Sequence, residues 1–95
     1  MGLSETYSVI IDYLKPFHPK MIGVFGSYAR GENRPNSDID ILIDLQSKIS
    51  LLQLVRMERE LSELIGVKVD LLTSGALKNQ KLRDYINKDL QIIYK

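Results

Sequence analysis

The sequence predicts a small α/β protein built on a short mixed sheet of at least three strands packed with helices. Three observations carry this. Short aliphatic runs, MIGVF at 21–25, IDILIDL within 37–45 and VKVDLLT at 67–73, alternate with segments of helical or turn character. The link from the first run to the second is about 11 residues, tight for a full crossover helix but adequate for a turn and one or two helical turns, so this pair should be antiparallel. The link from the second run to the third holds a full helix, which permits a parallel pair.

Each element follows in order. Leu3, Tyr7, Ile10, Ile11 and Leu14 recur at helical steps, and Pro16 ends that helix. PFHPK is a rigid turn with His18 as a turn residue, and the unbroken apolar character of MIGVF indicates a strand covered on both faces. After the second strand, Ser50 is an N-cap for a helix marked by Leu51, Leu54, Val55, Leu61, Leu64 and Ile65 and closed near Gly66. The third strand then leads through Ser74 and Gly75 into a last helix. That helix carries Leu77, Leu82, Tyr85 and Ile86 and is expected to run on through Leu90 and Ile93, with Tyr7 and Tyr85 at core spacing.

Composition sets the outer limits. A chain of 95 residues with 44% hydrophobic side chains supports one core, so 1–95 is expected to be a single domain. It has no cysteine, which excludes a disulfide scaffold, thiolate metal sites and a cysteine nucleophile. The acids near the N-terminus do not suit a signal peptide, and no long apolar run suits a membrane span, so the expected location is cytoplasmic. The formal charge is +1 without a basic block, so charge alone gives no argument for direct nucleic-acid binding.

The chemistry is concentrated between residues 26 and 44, GSYARGENRPNSDIDILID. Strand alternation places Asp38, Asp40, Leu42 and Asp44 on one face and Ile39, Ile41 and Ile43 on the other. Asp70 interrupts the third strand between Val69 and Leu71, and neighbouring strands lie about 5 Å apart, so a third carboxylate can join the first two. Gathered carboxylates are stable only when protonated, paired with cations or bound to metal, and oxygen-only donors favour Mg²⁺ or Mn²⁺. The plainer alternative makes Asp38 a strand-entrance cap and leaves Asp44 to solvent or Lys48.

At Gly26 the pattern changes from strand to helix, where a missing side chain lets the backbone turn and approach a ligand. Ser27 then lies at or near a helix start, offering its hydroxyl and first-turn N–H groups to an anion. The loop matches neither the G-x-x-x-x-G-K-S/T nor the G-x-G-x-x-G pattern. Its interest lies in its neighbours, since phosphate-facing backbone beside metal-facing carboxylates is what a nucleoside triphosphate needs. Arg30 is either a ligand or the partner of Glu32 or Asp44, and Arg34 lies in an exposed loop where it reaches phosphate or solvent. Among the aromatic residues, Tyr28 has the positional claim to the cleft.

The order Gly26, Ser27, Ala29, Arg30, Gly31, then Ser37, Asp38 and Asp40, with the later Val69, Asp70 and Leu71, resembles the signature of the minimal nucleotidyltransferases, a branch of the DNA polymerase beta superfamily. The resemblance spans residues 21 to 72 and implies a polymerase beta palm-like fold. It implies that Asp38 and Asp40 hold two divalent ions, Mg²⁺ or Mn²⁺, that Asp70 assists at the attacking group, and that Gly26 and Ser27 contact the triphosphate, with Arg30 and Arg34 as further candidates. The implied reaction moves AMP from ATP to an acceptor hydroxyl. Minimal members resemble antitoxins paired with a small helical HEPN-domain toxin, some transferring AMP to a toxin tyrosine, so such a partner is expected. So short a chain leaves the acceptor site incomplete, to be finished by that partner or by a homo-oligomer. The alternative is a non-catalytic module that neutralises its partner through contact.

Overall fold

The computed structural model of the protein describes residues 2–95. Helix α1 (Leu3–Leu14) tightens into a 3₁₀ turn at Lys15–Phe17, and His18 takes a left-handed conformation, φ 56°, before β1 (Pro19–Phe25). A one-turn helix α2 (Ser27–Arg30) and a loop lead to β2 (Ile39–Leu45). Helix α3 (Leu51–Ile65) joins β2 to β3 (Val69–Thr73). A 3₁₀ turn then precedes α4 (Gln80–Asp89) and β4 (Gln91–Tyr94).

The sheet order is β3-β2-β1-β4. β1 is antiparallel to β2, and β2 is parallel to β3, as the link lengths predict, and β1 is also antiparallel to the unexpected β4. The described strand β2 starts at Ile39, so Asp38 stands just ahead of it rather than inside it. The α3 boundaries follow their local signals. Ser50 Oγ accepts the Gln53 N–H at 3.1 Å, and Gly66 closes the helix at φ 72°.

One face of the sheet carries the larger core. Ile22, Val24, Ile39, Ile41 and Ile43 pack against Ile10 and Leu14 of α1 and Met57, Leu61 and Ile65 of α3. Burying each such aliphatic side chain stabilises the fold by about 1.5–3 kcal/mol. On the opposite face Phe25, Leu42, Leu77 and Ile86 form a smaller cluster beneath α4. This second cluster covers only part of that face.

The C-terminus departs from the expected long helix. Leu90 leaves helical geometry at φ −61°, ψ 124°, and residues 91–94 form β4 against β1 instead of a further helical turn. Leu90 itself drops onto Gly23, where a Cβ would stand 2.5 Å from Leu90 Cδ1. A side chain at Gly23 would require the Leu90 side chain to move. Within α4 only Ile86 is buried, whereas Leu82 is exposed and Tyr85 is 58% exposed, so the expected core role of Tyr85 is not met. Its helical spacing is right, but the stripe facing the small cluster is one residue wide.

The free edge of β3 is held by α3. The N–H groups of Val69 and Leu71 donate to Ser62 Oγ at 2.9 Å and Glu58 Oε2 at 2.7 Å. These bonds occupy donors that a bare edge would leave unpaired, and they fix the strand that carries Asp70.

Candidate active site

β1 ends at Phe25, and the chain turns at Gly26 with φ 74° and ψ −151°, a region that essentially only glycine occupies. A Cβ at this position would stand 2.3 Å from Asp40 Oδ2. Glycine is therefore required twice, for the turn and for the carboxylate beside it. α2 starts at once with Ser27 and is closed by Gly31 in the left-handed region. The loop back to β2 is tied by Arg34 N–H donating to Ser37 Oγ at 2.8 Å and Ser37 N–H donating to Arg34 O at 2.9 Å.

Register assembles the acids. Phe25 pairs with Asp40 across β1 and β2, and Asp40 pairs with Asp70 across β2 and β3. Partners in register share a face. Asp40 and Asp70 therefore lie side by side, while Asp38 stands at the strand entrance with Lys68 Nζ 3.9 Å away. Partial burial, first, and the charges of Asp70 and Asp38 push the Asp40 carboxyl up from 3.8 to about 6, against a smaller opposing pull from Arg30. A half-buried carboxylate with two like charges beside it is costly to ionise.

All three carboxylates line one open cleft of about 390 Å³, together with Gly26, Ser27 and Arg30. Six of the seven residues expected at the site are thus brought together. The seventh, Arg34, is exposed and does not line the cleft. Arg30 lines it with a guanidinium already engaged. Its Nε donates to Glu32 at 2.7 Å and its Nη1 to Asp89 at 2.8 Å, and these two carboxylates push the Arg30 pKa up. The expected Glu32 pairing is present, and Asp89 replaces the Asp44 alternative. Asp44 instead accepts a hydrogen bond from Ser74 Oγ at 3.0 Å beside a larger hollow of about 710 Å³ at the other end of β2. That hollow contains none of the three clustered acids.

The aromatic residue of the cleft was not the expected one. Tyr28 packs against the larger core, while Tyr85 of α4 and Asn36 and Ser37 of the loop complete the cleft. Tyr85 lay hidden in the sequence because its helical spacing matches that of a core residue.

The nucleotidyltransferase domain family matches residues 8–93. The chain belongs to this family. Over 92 residues this nucleotidyltransferase is 51% identical to a Methanocaldococcus jannaschii protein provisionally named a protein adenylyltransferase, covering 93% of this chain and 94% of the relative. It is 41% identical over 83 residues to protein adenylyltransferase MntA of Thermococcus cleftensis, covering 83% of this chain and 84% of that protein. Among solved structures, a crystal structure of a toxin–antitoxin with AMP-PNP matches at TM-score 0.85 and 22% identity, over 93% of this chain and 72% of that one. A complex of a tri-AMPylated Shewanella oneidensis HEPN toxin with its MNT antitoxin matches at TM-score 0.79 and 18% identity, over 96% of this chain and 71% of that one. At these identities the structural matches establish the shared fold.

The family implies a divalent cation, and the donor set fits one. The donors are carboxylate oxygens alone, which suit a hard ion. A cation held by these carboxylates would relieve the cost of ionising Asp40. Among the described residues no three acidic, His or Cys side chains are already closed into a ligand set. Asp38 of the same cleft has Lys68 Nζ 3.9 Å away.

Proposed function

We propose that this nucleotidyltransferase moves AMP from ATP to an acceptor hydroxyl, a tyrosine of a small helical HEPN-domain partner, and thereby acts as the antitoxin of that pair. The observation that carries the proposal is Asp40 in register with Asp70 directly beneath Gly26, with Asp38 at the rim of the same cleft. The adenylyltransferase names of the relatives support AMP as the transferred group, and the AMPylated HEPN toxin in the matching complex supports the class of acceptor.

In this reading the acceptor oxygen attacks the α-phosphorus, the bond from that phosphorus to the bridging α–β oxygen breaks, and pyrophosphate leaves. Asp70 takes the proton of the acceptor hydroxyl, a role suited to its place at the outer strand of the acidic pair. Gly26 opens the backbone to the triphosphate, and Ser27 offers it a hydroxyl and an N–H. Asp38, Asp40 and Asp70 hold Mg²⁺ or Mn²⁺, which when bound neutralises the phosphates and acidifies the acceptor hydroxyl. Arg30 acts as a strut between α2 and α4, since both of its carboxylate partners are already in place.

The test incubates the purified protein with labelled ATP, Mg²⁺ and its HEPN partner. Label should appear on a tyrosine of the partner, seen as an added AMP by mass spectrometry, and Asp40→Asn should abolish it. No labelled partner with the wild-type protein overturns the reading. Full neutralisation of the toxin by a D38N/D40N variant would assign the antitoxin effect to contact instead.

A further inference from the structure

ATP has two unlike ends, and the cleft provides unequally for them. The walls formed by Gly26, Ser27, Asn36 and Ser37 and the acidic floor present polar side chains or bare backbone, which suit phosphates, ribose hydroxyls and cations. A purine also has a broad apolar π face that such walls leave in water. Tyr85 is the one aromatic residue among those lining the cleft, and more than half of it is exposed.

Its placement is fixed from two sides. Ile86, the next residue, is fully buried with Phe25, Leu42 and Leu77, which sets the rotation of α4 about its axis. Asp89 lies one helical turn beyond Tyr85 on the same face and accepts the 2.8 Å bond from Arg30 at the end of α2. This bond pins the Tyr85 face of α4 to the helix that starts with Ser27. We infer that Tyr85 is the stacking platform for the purine ring of the nucleotide, held over the cleft by the Arg30–Asp89 pair. The inference rests on the reading of this cleft as the nucleotide site.

The test measures binding of ATP and of inorganic tripolyphosphate, each with Mg²⁺, to the wild type and to Y85A, Y85F and Y85W. Alanine at an exposed helical position leaves the fold intact. Y85A should weaken ATP binding by about 5- to 150-fold, the range expected for one lost base–aromatic stack, while Y85F and Y85W stay within about threefold of wild type. Tripolyphosphate, which has no base, should bind all four proteins alike. In transfer assays the loss should fall on KM for ATP, with kcat recovered at saturation. Wild-type ATP affinity in Y85A overturns the inference, and so does an equal loss in Y85F, which would assign the effect to the hydroxyl. A wild type that binds neither compound shows that the nucleotide-site reading has failed, and the inference falls with it.

Discussion

The two faces of β2 are built from adjacent residues and obey opposite rules. Ile39, Ile41 and Ile43 are fully buried between the sheet and two helices. Asp38, Asp40 and Asp44 alternate with them toward the other face, where α4 covers Leu42 but leaves Asp40 in an open cleft. The first face is held by aliphatic packing against α1 and α3. The second holds like charges together and is stabilised by what surrounds it, not by its own contacts. On the proposed reading one strand both anchors the fold and aims the chemistry, and substitutions one residue apart should separate the two.

Ile41→Ala and Asp40→Asn make the sharpest pair. Ile41→Ala should destabilise the protein by about 2–5 kcal/mol through lost burial and the cavity left behind, a large part of a small domain's stability. Asp40→Asn should leave chemical denaturation of the metal-free protein no easier, yet lower AMP transfer by a factor on the order of 10²–10³ or more. Urea titration and a transfer assay on both proteins measure the contrast. A D40N protein that unfolds as readily as I41A would show that the acidic face is also structural.

Gly26→Ala comes next in size, because it attacks the joint between the faces. The substitution puts a side chain in a backbone region that disfavours it and drives a Cβ against Asp40 Oδ2, now 2.3 Å from that position. The strain should cost about 1–3 kcal/mol. Transfer should fall as well, since Asp40 must move away from Asp70 to make room. A denaturation midpoint and a rate equal to wild type would mean that the Gly26 turn can be rebuilt without cost.

How far the sequence revealed this contrast depends on the range of the signal. Alternation in IDILIDL, the Asp70 interruption and the caps at Ser50 and Gly66 are local, and the strands, their directions and the paired acids could be read from them. β4 could not. Four residues, QIIY, follow a helix that ends without glycine, and their strand character comes from pairing with β1 nearly 70 residues earlier in the chain. Arg30 shows the same limit. Its Glu32 partner was within sight, whereas Asp89 is separated from it by 59 positions. Tyr28 and Tyr85 exchanged expected roles because helical spacing says which residues share a face, and only the packing partner decides whether that face is buried.

The smallest expected effect is the most specific to the acidic face. Asp40 holds its proton up to about pH 6 in the folded protein, against an ordinary value of 3.8. Below both values the group is protonated in the folded and unfolded chains alike and contributes nothing to pH dependence. Between them the unfolded chain releases the proton first, so the metal-free protein loses stability as pH rises through this window and carries the full penalty above it. At about 1.36 kcal/mol per pKa unit, reduced for partial exposure to solvent, the penalty is about 1 kcal/mol. Asp40→Asn removes it. The difference in melting temperature between D40N and wild type should therefore widen from pH 4 to pH 6.5 by about 4–8 °C in metal-free buffer. Adding Mg²⁺ at the higher pH should raise the wild type more than the variant, because the cation compensates the same charge. A difference that stays flat across the window would mean that Asp40 is ionised at no cost, and that the acidic face is no more strained than the aliphatic one.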